Sequence, residues 1–204
     1  MEDPSCYAYN LAMKQLATAL RTIGNLPESD IERFVMLARR VKIAKGNHFI
    51  QEGVETNRLG YVERGLFQNV YATEKGVACT FGFSAENDFL YECQAMRTFE
   101  TAHYSIQAIE DSVVWTVDYR AWVAPFRDSV WWNKLLLDLT TLESAEKSER
   151  EIRLMSMTGR ERYTHFREQY SHLEHRIKQH MIAAYLGISP VSLSRIRREM
   201  GLIS

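Results

Sequence analysis

Arg195 and Arg198 lie three residues apart near the end of the chain, in a segment that also carries Leu193 and Ile196. A guanidinium is a planar fork of donors that fits guanine O6 and N7 in the major groove of a duplex, and an apolar side chain can meet a thymine methyl. If the segment is helical, each residue turns 100°, and Val191, Arg195 and Arg198 then lie nearly opposite Leu193, flanked by Ser192, Ser194 and Glu199. Arg195, Arg198 and Val191 are therefore candidates for base edges, and Ser194 flanks them as a further DNA-binding candidate. Lys178, Ser189, Ser192 and Arg197 are candidates for phosphate oxygens, together with the amides at the helix start.

Those side chains need two short helices crossing through a tight turn, and Gln179 to Arg198, QHMIAAYLGISPVSLSRIRR, supplies each part of that unit. Ile182 and Leu186 give the first helix its inward side, and Ala183 is small where the helices approach. Gly187 tolerates left-handed φ in the turn, and Ile188 is the apolar residue the turn buries. Ser189 followed by Pro190 reads as an N-cap and a first-position proline. Leu193, Ile196 and Met200 then recur at steps of three and four. An ordinary helical hairpin would show the same packing pattern without two arginines on its outer side.

Upstream, the texture changes twice. The stretch from about Cys6 to Ala38 reads as helical, with Pro27 at a helix start and Ile31, Phe34, Val35 and Leu37 at helical spacing. From Arg39 to Asp118, short β-rich runs alternate with turn signals such as Lys45–Gly46–Asn47, Glu52–Gly53, Gly65 and Lys75–Gly76. That spacing predicts a β-sandwich or barrel rather than alternating strands and helices. From Arg127 to about Met157 there is no Gly or Pro, and Leu135, Leu139, Leu142, Ala145, Ile152 and Met155 form an apolar stripe. A helix of that length predicts pairing with a second copy, and Leu135, Leu139, Leu142, Ala145 and Ile152 are the expected interface.

The formal net charge of −1 hides an asymmetry: Met1 to Glu146 holds 14 Lys/Arg against 20 Asp/Glu, whereas Lys147 to Ser204 holds 11 against 6. The basic end coincides with the two-helix unit, as a polyanion-binding end requires. Cys6, Cys79 and Cys93 are too few and too scattered for a disulfide framework or a metal cluster, and read as incidental thiols. His172 and His175, beside Ser171 and Glu174, read as solvated rather than metal-bound. The opening MEDPSCYAYN has neither a basic n-region nor an apolar h-region, and no apolar run reaches the ~20 residues of a spanning helix. A cytosolic protein without a membrane partner is the expectation. Nothing in the sequence brings together a nucleophile and base or a metal triad, so an enzyme is not expected.

The stretch KGNHFIQEGVETNRLGYVERGLFQNVY, from Lys45 to Tyr71, and LGISPVSLSRIRREMG near the end resemble the Crp/Fnr superfamily of bacterial regulators. The resemblance covers most of the chain. It implies an α+β chain in three parts. An N-terminal cyclic-nucleotide-binding-like double-stranded β-helix (jelly-roll) sensor domain with leading helices spans 1–126. A dimerisation helix spans 127–157, and a winged helix-turn-helix spans 158–204. Double-stranded DNA, a second copy of the chain and RNA polymerase are the partners it implies.

Two sites depart from the pattern. Where cyclic-AMP-binding members carry a Gly-Glu-Leu step, this chain has Tyr91, Glu92 and Cys93, and the position of their phosphate-binding arginine falls on Ala102, followed by His103. A buried cyclic phosphate without its bidentate arginine is an unpaired charge. Cyclic AMP is therefore not expected, and no cofactor is assigned. Tyr91, Glu92, Arg97 and His103 remain the candidates for an effector contact. On the recognition side, Val191 stands where members reading the best-known half-sites carry glutamate, which predicts a different target sequence. A cyclic-nucleotide or other small-molecule sensor acting through protein contacts is the alternative function.

Overall fold

The computed structural model describes residues 13–22, 26–72, 78–98, 100–118, 120–121 and 130–203. Helix α1 covers 13–22, and α2, Glu28–Leu37, follows Pro27. Eight strands come next among the described residues: β1 Arg39–Ile43, β2 His48–Ile50, β3 Arg58–Arg64, β4 Phe67–Ala72, β5 Ala78–Ser84, β6 Phe89–Leu90, β7 Ser105–Ala108 and β8 Ser112–Asp118. They form two four-stranded antiparallel sheets, ordered β1-β8-β3-β6 and β2-β7-β4-β5. The short α3, Cys93–Thr98, lies between β6 and β7; the sequence reading missed both it and the two-residue β6. Cys6 and Arg127 lie outside the described residues.

The sheets face each other over Phe49, Ile50, Val62, Phe67, Leu90, Ile106 and Val114. The outer side of the first sheet is also covered: Leu59, Tyr61, Trp115 and Val117 pack under Leu16, Leu20 and Phe34 of the leading helices. This is why β3 and β8 read as nearly continuous apolar runs instead of alternating ones. Glu63 on β3 holds Arg40 on β1 through two hydrogen bonds of 2.7 and 2.6 Å, and the guanidinium keeps its carboxyl below the usual range.

Helix α4 runs Val130–Ser156, and α5 Gly159–Gln169 follows through a capping box in which Thr158 and Glu161 satisfy each other's backbone amides. No helix among the described residues is long and apolar enough to cross a membrane. Helices α6, Gln179–Leu186, and α7, Pro190–Glu199, close the chain.

The helical end does not have a core of its own. Leu66, Phe83, Ala85 and Ile109 of the roll belong to the same apolar cluster as Tyr163, Phe166, Leu173, Ile182, Leu186, Leu193 and Ile196. Phe83 on β5 sits within 5.6–6.2 Å, centroid to centroid, of Phe166, Tyr170 and Tyr185. Three turns of the roll meet this end. Gly65, with φ of +128°, donates its amide to Glu86 at 2.8 Å; a side chain there would be driven into Ser112. Arg176 holds Glu86 through two hydrogen bonds of 2.8 and 2.9 Å and also pairs with Glu110.

A strand wing, which the resemblance implies, is not found among the described residues after Thr158. Residues 170–178, between α5 and α6, curl into successive turns instead, with Leu173 and Glu174 amides on the Tyr170 carbonyl and Arg176 and Ile177 amides on that of Leu173. Leu173 and Ile177 of this curl are buried.

Candidate nucleic-acid interface

Gly187 ends α6 in the left-handed region, φ 65° and ψ 35°, and its amide closes on the Ala184 carbonyl. Two residues later Ser189 caps α7: its hydroxyl accepts the Ser192 amide at 3.1 Å and lies 2.9 Å from the Ser192 hydroxyl. Pro190 follows at the first helical position. The turn is therefore built as its residues predict. Ile182, Ala183, Leu186 and Leu193 are essentially inaccessible, Ile196 is buried, and Ile188 and Met200 pack at the margin.

The other side of α7 faces outward. Val191 is 80% exposed and the Arg195 side chain 73%. Arg198 is exposed, and Ser194 is half-buried beside them. Arg195 approaches Glu199 only at 3.8 Å; an exposed pair of that kind contributes little and yields readily to a polyanion. Lys178 occupies the N-cap position of α6, exposed and with no side-chain cap bond. Ser189 and Ser192 stand at the start of α7, with Ser189 exposed and Ser192 half-buried.

Arg197 corrects the sequence expectation. It turns inward: its side chain is 18% exposed and reaches Glu174 at 3.8 Å. The spacing already contained the reason, because Arg197 is four residues after Leu193 and so shares its side of the helix. Glu174 also accepts from Tyr163 and, at 3.1 Å, from Arg167; burial and that carboxylate push the Tyr163 phenol up to about 12.

The candidate effector residues are not gathered into a cyclic-phosphate site. Glu92 is 2% exposed, and its carboxylate accepts the Gln94 and Ala95 amides at 3.1 and 3.0 Å, which makes it the cap of α3. His103 approaches it at 3.4 Å from a half-exposed position. Tyr91 is half-buried, its carbonyl accepting the Tyr104 hydroxyl at 3.1 Å. The Arg97 side chain lies outside the described residues. Ala102, where the arginine would stand, is buried and bonded through its backbone to Gly53 and Val54. Tyr104 packs edge-on against Phe81 and reaches Glu143 of α4 at 3.3 Å, with Lys147 over its ring. Cys93 is buried nearby, its thiol pushed up to about 12 by burial and by Glu143. A shallow depression at His103 is lined by Glu55, Glu100 and Thr101, with Glu55 paired to Arg120.

The expected dimer stripe divides. Leu135 and Leu139 are 2% exposed and pack with Leu16, Leu20, Met96 and Trp115, so they belong to the protomer's own core rather than to an interface. Leu142 and Ile152 are 49% and 58% exposed, and Ala145 is exposed. On a helical wheel Leu135 and Leu139 lie roughly 80–140° round from Ala145 and Ile152, so the stripe spans two faces, while Leu142 shares the Leu135 side and is exposed further along the helix. Val130, Leu137 and Met155 extend the exposed side.

Sequence reading missed the residues that fix this unit to the roll: Phe83, Glu86, Glu110, Glu174 and Arg176. Arg176 and Glu86 are 90 residues apart, and no local pattern announces such a pair.

No protein-family model and no curated protein sequence matches the chain. Solved structures do. FixK2 from Bradyrhizobium japonicum superposes with a TM-score of 0.69 at 18% identity, over 80% of this chain and 84% of that one. CLP of Xanthomonas campestris, described as a c-di-GMP responsive global regulator, gives 0.67 at 16%, over 86% and 92%. A transcriptional regulator of the Crp/Fnr family from Eubacterium rectale gives 0.68 at 15%, over 87% and 85%. At these identities the likeness is one of fold: a β-roll, a long helix and a helix-turn-helix in the same order.

Proposed function

We propose that this chain is a sequence-specific DNA-binding transcriptional regulator of the Crp/Fnr type, acting in the cytoplasm as a homodimer and without cyclic AMP. The observation that carries the reading is the split of α7: Leu193 and Ile196 are buried while Val191, Arg195 and Arg198 face solvent on a helix seated by a left-handed glycine turn and a serine cap. In this reading two such helices enter successive major grooves about 34 Å apart. Lys178, Ser189 and Ser192 take phosphates, and RNA polymerase is the further partner of the assembled regulator. The absence of cyclic AMP from the scheme rests on the use of Glu92 as a helix cap and on Ala102 in place of an arginine.

Selection of bound duplexes from a random pool tests the reading. The full-length protein is expected to enrich a two-fold symmetric site, with affinity falling steeply as salt rises. Arg195→Ala is expected to cost about 1–3 kcal/mol of discrimination at one base pair per half-site, read by competition against single-base variants. Equal enrichment of all sequences by the wild type would sink the reading.

Dimerisation through the exposed side of α4 gives a second expectation. Ile152→Glu combined with Leu142→Glu places like charges at the seam and should shift the protein to monomer in sedimentation velocity, with the far-ultraviolet spectrum unchanged because both sites are exposed. A dimer that survives both changes would place the contact elsewhere.

A further inference from the structure

The geometry points to Glu174 and Arg197 as positioning residues that set the angle of the recognition helix, with residues 170–178 as the brace that ties this helix to the roll. This rests on the DNA-binding reading and adds how its reading helix is held. The brace carries two ion-paired side chains, Glu174 and Arg176, two residues apart, that reach in different directions. Arg176 reaches the roll, where it pairs with Glu86 from the β5–β6 turn and Glu110 from the β7–β8 turn. Glu174 reaches the helices, where it receives Tyr163 and Arg167 from α5 and faces Arg197 of α7.

Arg197 is the only strut of this set that comes from the recognition helix itself. It leaves from the buried side of α7, its side chain is as enclosed as that of Glu174, 18% exposed in each, and its Nε is buried with no hydrogen-bond partner among the described residues. An enclosed guanidinium is retained where its charge is opposed, and Glu174 is the carboxylate facing it. The apolar contacts of Leu193 and Ile196 keep α7 in place but are non-directional. The charged contact at Glu174 ties one side of α7, away from its axis, to the brace and so opposes rotation about that axis, on which the aim of Arg195 and Arg198 depends. Misplacement of a reading side chain by about an ångström breaks a bidentate base contact while leaving phosphate attraction intact.

The test uses full-length protein, the duplex enriched from the random pool and an unrelated duplex of equal length, across a salt series. Arg197→Gln and Glu174→Gln are each expected to lower the ratio of specific to non-specific affinity by about tenfold or more. Non-specific affinity and the slope of log affinity against log salt should stay at their wild-type values, and the double variant should be no worse than the poorer single one. A uniform loss on both duplexes with the salt slope reduced by about one would show Arg197 to be a phosphate contact and overturn the inference. Unchanged discrimination in both variants would overturn it as well. Circular dichroism accompanies each variant. Should Glu174→Gln unfold, Arg197→Gln, at the edge of the cluster, decides by itself. Failure of the wild type to prefer any duplex would strike the DNA-binding reading itself, an outcome seen before any variant is made.

Discussion

Phe166→Ala is expected to cost about 3–5 kcal/mol and to destabilise the roll and the helix-turn-helix together. Phe166 is 1% exposed and lies at the centre of the shared cluster: its ring is 6.2 Å from Phe83 of the roll, 5.2 Å from Tyr170, 5.6 Å from Tyr185 and 6.4 Å from Tyr163. Truncation removes the transfer energy of a buried ring and leaves a hole that Phe83, Tyr170 and Tyr185, each in contact with a further ring, are hindered from collapsing to fill. Because the cluster takes residues from both parts of the chain, wild-type urea unfolding should be a single transition reported alike by tryptophan fluorescence, since Trp115, Trp122, Trp131 and Trp132 all precede the helix-turn-helix, and by far-ultraviolet dichroism, to which the helices contribute most. A cost below about 1 kcal/mol, or a wild type with two separated transitions, would show that the two parts do not share a core.

Arg176→Ala is the second large effect, about 1–3 kcal/mol near neutral pH, below the loss for a fully buried pair because Arg176, Glu86 and Glu110 keep 24–34% of their side-chain surface. Removal leaves two carboxylates facing each other without the cation. The effect depends on pH in a defined direction. Burial would raise the Glu86 carboxyl, but Arg176 and the Gly65 amide outweigh that and hold it at about 2. An unfolded glutamate titrates near about 4.3. The folded value is depressed, so the contribution is complete above the unfolded value and is lost as pH falls toward about 2. Urea midpoints of wild type and Arg176→Ala should therefore differ most above about pH 5 and converge in strong acid. A gap that stays constant from pH 7 to 2 would mean the arginine acts through packing alone.

The local chemistry of the helix-turn-helix was legible because its demands are local: a glycine where φ is positive, a serine and proline where a helix begins, and apolar residues at steps of three and four. The strands from Arg39 to Asp118 were legible for the same reason, except β6, whose two residues make no pattern, and α3, which takes its cap from Glu92. Arg197 is the exception: its charge in a basic stretch points to phosphate, while its spacing from Leu193 places it on the enclosed side of the helix.

What the chain's order by itself determined is each element that depends on neighbours within a turn of helix or a step of strand. What only the tertiary structure decided is which apolar side meets which. Leu135 and Leu139 went to the protomer's own core while Leu142 and Ile152 were left outside, Glu92 went to a helix cap, and Arg176 found two carboxylates 90 and 66 residues away. Burial and ion pairing depend on distance in space, and chain spacing sets that distance only over the few residues whose backbone geometry is already known.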